Sequence, residues 1–307
     1  MNIGIVGAET HTGQLCNILN VERRIRGVRV THVCGRTAAL GRAAARAGRI
    51  PHIAKKPADL IGAVDAAVVD HIDGADHLAA ARPLLEAGLP LFIDKPFCCS
   101  KSAGKRFLAR AAQLGVPVCS FSVMPLQASF VALKKQVRQL GQIYAVVTSG
   151  PCDIRSAHGG IFFYGIHQVE MILRLLGCEV SHVQCSRGKG KNHLATLAYK
   201  DGRMATMHLL AEGAGLFHLS AIGARGRIDQ SIAYDRDMFL AGARAVVRMF
   251  RSGKTSETME SMLAPVAVLE ALKKSMATSS KPVPSSSTRR MSAMIMRTAS
   301  ITWMSWS

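Results

Sequence analysis

The stretch Asn2-Ile3-Gly4-Ile5-Val6-Gly7-Ala8-Glu9-Thr10-His11-Thr12-Gly13 opens the chain and decides the expected fold. Its first part is an apolar run typical of a short buried strand, and residues 14–20 read as a helix that follows the glycines. A strand, a glycine turn and a helix form the opening of a dinucleotide-binding unit. Glycine lets the backbone approach a diphosphate, and the start of the helix offers free amides to that anion.

The glycine spacing of this loop departs from the usual fingerprint. In the register G-x-G-x-x-G the second glycine is replaced by Glu9, which adds bulk and a negative charge near the expected phosphates. The register G-x-x-G-x-x-G fits better, with Thr10 in the middle position. Taken alone, the loop is weak evidence. The residues of the loop that are predicted to bind the cofactor are Gly7, Glu9, Thr10, His11, Thr12 and Gly13.

Beyond the loop, strands and helices alternate as far as residue 122. Their short connections predict a parallel sheet covered by helices, which is a Rossmann domain over residues 1–122. The predicted strands are residues 29–34, 66–70, 91–93 and 116–121, and the predicted helices are residues 38–47, 78–87 and 102–114.

Arg36 and Thr37 follow the second predicted strand, where a dinucleotide fold recognises the adenosine ribose. An acidic residue at this point would hold the ribose 2′-hydroxyl of NAD, whereas an arginine accommodates the 2′-phosphate of NADP. Arg36 therefore favours NADP, although a plain surface charge before the next helix explains it equally well. Asp70, at the end of the strand over residues 66–70, is also predicted to bind the cofactor.

Composition argues against several classes of function. The net charge of +19 is spread along the chain and aromatic residues are only 5%, so no basic stacking surface for nucleic acid is expected. The eight cysteines form no Cys-x-x-Cys pair, which favours free thiols in the cytoplasm. No apolar run approaches the roughly 20 residues of a membrane helix. His71, Asp73, Asp76 and His77 match no fixed ligand spacing, and no metal is expected.

From residue 123 the pattern changes to a second, α+β domain over residues 123–283. An open, mostly antiparallel sheet is predicted, with the active cleft between the two domains. Residues 284–307 are rich in Ser, Thr and Met and are predicted to be a disordered tail. The predicted strands are residues 143–149, 180–186, 193–199, 204–210, 217–222 and 227–233, and the predicted helices outside the segment around His167 are residues 127–140, 237–250 and 258–275.

The segment from Gly159 to Gly177 reads as a loop that becomes a helix. Tyr164, His167 and Glu170 recur every third residue and would share one helical face. A histidine titrates near neutral pH and can pass protons, so His167 is a candidate for chemistry. The alternative is a partly buried, hydrogen-bonded helix residue.

At Asp94-Lys95-Pro96 the chain resembles the glucose-fructose oxidoreductase, inositol dehydrogenase and MocA family (Gfo/Idh/MocA). The family has an acidic residue, lysine and proline at the end of this strand, after a helix that closes like Glu86-Ala87-Gly88. The resemblance covers about residues 1–283. Its later matches are Gly159-Gly160, Gly165-Ile166-His167, the segment 249–253 and the segment 264–272.

The resemblance implies an NAD(P)-dependent oxidoreductase that transfers hydride to or from a small hydroxy or carbonyl substrate. In that family the lysine that matches Lys95 lies by the nicotinamide and the substrate, and the histidine that matches His167 lines the same pocket. A fixed ammonium group polarises a substrate oxygen as hydride moves. Pro96 presets the turn that directs Lys95 into the cleft, and both residues are predicted to contact the cofactor. The resemblance also implies dimers or tetramers built on the open face of the second sheet.

Phe163 departs from the family pattern. The family places an aspartate four residues before the histidine, so the usual acid and base pair is missing here. Tyr164 can supply a hydroxyl on the same face, or it is simply packed, and Glu170 is expected to orient the imidazole. The predicted catalytic residues are Lys95, His167 and Tyr164. The alternatives are a non-redox lyase or hydrolase on the same scaffold and a catalytically silent binding protein.

Overall fold

The first sheet of the protein is all parallel. The structure is a computed structural model that describes residues 1–213, 215–278 and 281–285. The strands of this sheet are β1 (Asn2–Gly7), β2 (Arg29–Gly35), β3 (His52–Ile53), β4 (Ala66–Val69), β5 (Leu91–Ile93) and β6 (Val118–Cys119). They lie in the order β3-β2-β1-β4-β5-β6, and every pair is parallel. The predicted Rossmann fold is therefore confirmed.

Four helices connect these strands, and three of them begin at a side-chain cap. Thr37, Asp73 and Ser100 each accept a hydrogen bond from a backbone N–H in the first turn of the helix that follows. The first helix is short and continues into a π-helical segment over Asn17–Val21. The helices are α1 (Thr12–Cys16), α2 (Ala38–Ala47), α3 (Gly74–Glu86) and α4 (Lys101–Leu114).

The second sheet is mixed and mostly antiparallel, as predicted. Among the described residues, β7 and β10 form its one parallel pair. The strand order is β12-β11-β7-β10-β9-β8-β13. The strands are β7 (Ile143–Pro151), β8 (Val180–Arg187), β9 (His193–Tyr199), β10 (Met204–Leu210), β11 (Phe217–Gly223), β12 (Gly226–Ile232) and β13 (Val283–Pro284).

The helices of the second half divide between the two sheets. The helices are α5 (Ala128–Val137), α6 (Ile161–Leu176), α7 (Leu240–Ser252) and α8 (Met259–Ala277). Helices α6 and α8 pack on the second sheet through residues such as Val169 and Leu269, which are fully buried. Helix α7 instead buries Val246 and Phe250 in the same cluster as Ile3 and Ile5 of β1. No helix in the described part of the chain is long and apolar enough to cross a membrane.

A few boundaries differ from the sequence prediction. Helix α3 begins at Gly74 rather than at residue 78, because Asp73 caps it. Strands β3 and β13 were not predicted, since each is only two residues long. Pro284 and Ser285 were assigned to the disordered tail, yet Pro284 pairs with β8 and the Ser285 N–H donates to the Ser181 carbonyl at 3.1 Å. The rest of the predicted tail, residues 286–307, lies outside the described residues.

Candidate active site

The loop after β1 closes around the carboxylate of Asp70, which lies directly after β4. Asp70 is 1% exposed. Its carboxylate accepts the backbone N–H groups of Thr10 at 3.3 Å, His11 at 3.0 Å and Thr12 at 2.8 Å. The hydroxyl groups of Thr10 and Thr12 donate to it as well. The amides that such a loop offers to a diphosphate therefore already have an anionic partner within the protein.

The two glycines that bound the loop have different surroundings. Gly7 has a φ of +101°, and a Cβ atom there would lie 2.5 Å from the Asp70 carbonyl oxygen, so only glycine fits. Gly13 is exposed, and a Cβ atom there would meet no atom within 4 Å. The backbone at Gly13 is thus open to a phosphate.

The position of the loop fits a nicotinamide dinucleotide, although its amides are occupied by Asp70. It runs from β1 to α1 at the carboxyl ends of the central strands, where ligands bind in open α/β sheets. Gly13 leaves open space beside the loop, and Lys95 and His167 line a pocket together with the loop residues His11 and Thr12. When bound, such a cofactor supplies or accepts the hydride. Because each N–H donates one strong hydrogen bond, a diphosphate that uses these amides has to displace Asp70.

Glu9 belongs to a chain of charged side chains beside the loop. Its Oε2 atom lies 2.7 Å from His71 Nδ1 and 3.6 Å from Arg36 Nη1. Arg36 also pairs with Asp76. The hydrogen bond with Asp76, together with the charges of Asp76 and Glu9, raises the pKa of Arg36. The Arg36 side chain lies close to the loop, as predicted, but two of the protein's own carboxylates already neutralise it.

Asp94 and Lys95 follow β5 and occupy the floor of the site. Asp94 is 4% exposed, and its Oδ2 atom lies 2.9 Å from His11 Nδ1. Burial opposes its ionisation, but the charges of His11 and Lys95 and the His11 hydrogen bond outweigh burial and hold the pKa of Asp94 well below its usual value. Burial likewise lowers the pKa of His11, but the Asp94 charge and hydrogen bond outweigh it, so the pKa of His11 is raised. The Lys95-Pro96 peptide bond is cis.

The ammonium group of Lys95 faces an aromatic ring. Lys95 is 7% exposed, and its Nζ atom lies 5.2 Å from the centroid of the Phe163 ring. Within the described part of the chain, no carboxylate lies within 4.0 Å of this ammonium group. The face of an aromatic ring attracts a cation without neutralising its charge. Phe163 therefore holds Lys95 in place and leaves its positive charge available.

His167 is held by a residue of the first half of the chain. Its Nδ1 atom lies 2.7 Å from the hydroxyl oxygen of Ser122, which is 1% exposed. The Ser122 N–H donates to both carboxylate oxygens of Glu170, at 2.9 and 3.0 Å. Burial, and secondarily the Lys95 charge, holds the pKa of His167 well below its usual value. Burial raises the pKa of Glu170 to about 7, despite the Ser122 N–H.

Tyr164 packs against its neighbours on α6. Its ring meets Phe163 edge to face at 4.9 Å between centroids and His167 at 5.5 Å. The residue is 37% exposed. Tyr164 does not line the pocket, which favours the packed interpretation over a direct contact with substrate.

One pocket of about 640 Å³, counted with its open mouth, lies beside the loop after β1, Lys95 and His167. Its polar side is formed by His11, Thr12, Asp70, Asp94, Lys95 and His167. The rest of the lining is apolar and comes from α1, β4, β5, the segment after β6 and α7, including Leu15, Val68, Phe121 and Val246. Lys95 and His167 thus meet in one pocket although they come from opposite halves of the chain.

The predicted cofactor residues are only partly gathered here. His11, Thr12, Asp70 and Lys95 line the pocket, while Gly7 and Gly13 bound the loop beside it. The others take local structural roles. Glu9 and Arg36 form ion pairs, Thr37 caps α2, Thr10 donates to Asp70, and the Pro96 carbonyl accepts from His77 at 2.8 Å.

Sequence reasoning assigned no part in the site to Ser122 or to α7. A single serine after a strand carries no recognisable signal, and the apolar face of α7 is typical of any packed helix. Asp94 was quoted only as part of a motif, although its place directly before Lys95 at a strand end was a usable signal. His11, Asp70 and Asp94 offer atoms within 4.8 Å of one another. Hydrogen bonds to Asp70 and Asp94 from within the protein account for this cluster without a metal.

The chain matches a known family over its first sheet. The profile of the oxidoreductase family with an NAD-binding Rossmann fold (GFO_IDH_MocA) matches residues 1–121. The resemblance seen at Asp94-Lys95-Pro96 is confirmed over those residues. No curated protein sequence matches the chain.

Solved structures share the fold over nearly the whole chain. GenD2 from gentamicin A biosynthesis, in complex with NAD, is 17% identical with a TM-score of 0.82, covering 92% of this chain and 96% of GenD2. A probable dehydrogenase from Thermotoga maritima is 17% identical with a TM-score of 0.79, covering 93% and 99%. The scyllo-inositol dehydrogenase of Lactobacillus casei, with bound NAD(H) and scyllo-inositol, is also 17% identical with a TM-score of 0.79, covering 93% of this chain and 99% of that enzyme. At this identity the likeness concerns the fold.

Proposed function

We propose that the protein is an NAD(P)-dependent oxidoreductase that transfers hydride between the nicotinamide and a small hydroxy or carbonyl substrate. The observation that carries this proposal is the pocket that Lys95 and His167 share with the loop residues His11 and Thr12. The family of residues 1–121 and the dehydrogenases that share the fold support it. The comparisons do not favour the non-redox and silent alternatives.

The chain's own residues would act on the reacting oxygen. The Lys95 ammonium, which keeps its charge on the Phe163 ring, stabilises negative charge that develops on that oxygen. His167 lies beside it as a buried hydrogen-bonding group. The apolar lining excludes water from the rest of the pocket. Tyr164, whose ring packs edge to face against His167, is proposed to position the imidazole.

Calorimetric titration with NADPH and with NADH tests the proposal. Micromolar to millimolar binding of at least one of them is expected, which is the usual range for such cofactors. Lys95→Met should retain that binding and abolish turnover of any hydroxy or carbonyl compound that the unaltered protein oxidises or reduces. Arg106→Met, an exposed cation on α4, is the matched control. Absence of binding by both dinucleotides would refute the proposal.

For the cofactor, we propose NADP with a modest preference over NAD. Arg36 lies near the loop and can meet a 2′-phosphate, but Asp76 and Glu9 compete for its guanidinium. NADPH should bind less than about tenfold more tightly than NADH, because Asp76 and Glu9 already neutralise part of the Arg36 charge. Arg36→Ala should bring the ratio of the two dissociation constants to about one, measured by calorimetry.

We also propose a homo-oligomer in the cytoplasm. Met204, Leu194 and Ile222, on strands of the second sheet, are 56%, 39% and 38% exposed, which supports burial against a second copy. All eight cysteines are free thiols, which fits a reducing compartment. Light scattering on the purified protein should show a dimer or tetramer, and Met204→Glu should shift it towards the monomer.

A further inference from the structure

The contacts of Ser122 bear on the proton of His167. The Ser122 hydroxyl has one proton to donate and lone pairs to accept with. The Met124 N–H donates to its oxygen at 3.1 Å. Within the described part of the chain, the one acceptor within hydrogen-bond distance of the Ser122 hydroxyl is His167 Nδ1, at 2.7 Å. If Nδ1 carried the proton, the buried hydroxyl would receive two hydrogen bonds and have no acceptor for its own proton.

Donation from Ser122 to Nδ1 satisfies both groups. A neutral imidazole that accepts at Nδ1 carries its proton on Nε2. Nε2 has no hydrogen-bond partner among the described residues. Every fully buried polar side-chain atom of those residues does have a partner, so Nε2 is not fully buried. His167 lines the pocket, which is where Nε2 is accessible. The Nε2–H is therefore accessible to a substrate oxygen in that pocket.

We propose that Ser122 is a positioning residue that fixes His167 as the Nε2–H tautomer, so that His167 presents a hydrogen-bond donor to the reacting oxygen. This inference rests on the proposed function for its catalytic meaning. A resting histidine of this kind polarises a carbonyl or steadies an alkoxide and does not accept the proton of a hydroxyl group. The Lys95 ammonium lines the same pocket, so Lys95 and His167 both present donors to the reacting oxygen.

Glu170 fixes Ser122 in this position. Both of its carboxylate oxygens accept the Ser122 N–H, so the backbone that carries the hydroxyl is tied to α6 one turn below His167. The sequence predicted that Glu170 orients the imidazole. In the structure Ser122 contacts both Glu170 and His167, so that orientation passes through Ser122 in this proposal.

Nitrogen NMR on protein labelled with ¹⁵N-histidine tests the tautomer, because protonated and unprotonated ring nitrogens resonate far apart. The His167→Gln variant identifies the His167 signals among those of the 11 histidines. In the unaltered protein at neutral pH, we expect a protonated Nε2 and an unprotonated Nδ1. A proton on Nδ1 would overturn the proposal without any variant.

Serine variants test whether Ser122 fixes the tautomer of His167. Ser122→Ala should let the two tautomers interconvert, so that the separation between the two nitrogen shifts collapses, and Ser122→Thr should restore it. Ser120→Ala, another buried serine of the same segment, should leave the shifts unchanged. Unchanged shifts in a folded Ser122→Ala would refute the role of Ser122. The measurement needs no dinucleotide, so its failure is distinct from a failure to bind NADPH or NADH.

Discussion

At the scale of single residues, Phe163 and Glu170 set the charge balance beside Lys95 and Ser122. The face of the Phe163 ring lies 5.2 Å from Lys95 Nζ and attracts its positive charge. Glu170 is a buried carboxylate, and within the described residues its one hydrogen-bond donor is the Ser122 N–H. A carboxylate with so little compensation is costly to ionise.

Glu170 should make the protein less stable as pH rises. Burial raises its pKa from 4.5 to about 7. Between these values the unfolded chain gives up its proton while the folded protein keeps it, so the free energy of unfolding falls through this window by up to about 3 kcal/mol. Glu170→Gln lacks this loss and should gain stability relative to the unaltered protein as pH rises from 5 to 8.

Urea unfolding at pH 5 and pH 8 measures this effect. Glu260→Gln, which removes an exposed carboxylate from α8, is the control and should show the same difference at both pH values. An equal stability difference between Glu170→Gln and the unaltered protein at both pH values would contradict the expected burial effect.

At the scale of elements, the loop after β1 combines a required glycine with a permissive one. Gly7→Ala places a Cβ atom 2.5 Å from the Asp70 carbonyl at a φ of +101° and should destabilise the protein by about 3 kcal/mol or more. Gly13→Ala meets no neighbour and lies in α1, so its effect on stability should be within about 1 kcal/mol. Thermal unfolding compares the two.

Gly13→Ala also tests cofactor binding without a loss of folding. A methyl group at Gly13 occupies the space that a diphosphate would use, so Gly13→Ala should weaken NADPH or NADH binding in a stably folded protein. Undiminished affinity in that variant would place the diphosphate elsewhere.

Asp70 should oppose dinucleotide binding. Its carboxylate holds the amides of Thr10, His11 and Thr12 and would repel an incoming diphosphate. Asp70→Asn removes the charge and keeps a hydrogen-bonding group of the same shape. Calorimetry should show about tenfold tighter binding, corresponding to about 1.4 kcal/mol.

A neighbouring aspartate provides the control for that experiment. Asp65 lies just before β4, at the strand end opposite Asp70, and accepts the Asn2 N–H at 2.7 Å. Asp65→Asn removes the same charge and should leave the affinity nearly unchanged. Weaker binding by a folded Asp70→Asn would mean that Asp70 helps to form the site.

At the scale of the whole molecule, α7 joins the two halves. It comes from the second half but buries Leu240, Val246 and Phe250 against β1, β2 and their neighbours. The division at residues 122 and 123 remains a prediction, because this packing makes the first sheet depend on a helix more than a hundred residues later in the chain.

A fragment of residues 1–122 should therefore fail to fold cooperatively. Without α7, an apolar face of the first sheet is exposed to water, and each side chain left uncovered costs about 1.5–3 kcal/mol of burial. Calorimetric heating of the fragment should show no cooperative transition, whereas residues 1–285 should show one. A sharp transition in the fragment would establish that the first half is independent.

Much of the fold was predictable because its signals are local. The alternation of apolar runs with glycine and capping residues predicted both sheets, and Lys95 and His167 were found from short motifs. The two-residue strands β3 and β13 were missed because so short a run carries no periodicity. Ser122 was missed because its importance comes only from the residues that it touches.

The sequence by itself determined the two-sheet architecture, the loop between Gly7 and Gly13, and the presence of Lys95 and His167. Only the tertiary structure decided that the Asp70 carboxylate accepts hydrogen bonds from the amides of that loop and that Lys95 lies over the Phe163 ring. It also decided that Ser122 hydrogen-bonds to His167, 45 residues later in the chain. The physical reason is that periodicity and turn chemistry act between near neighbours in sequence. Hydrogen bonds and ring contacts in a pocket depend on how distant elements pack.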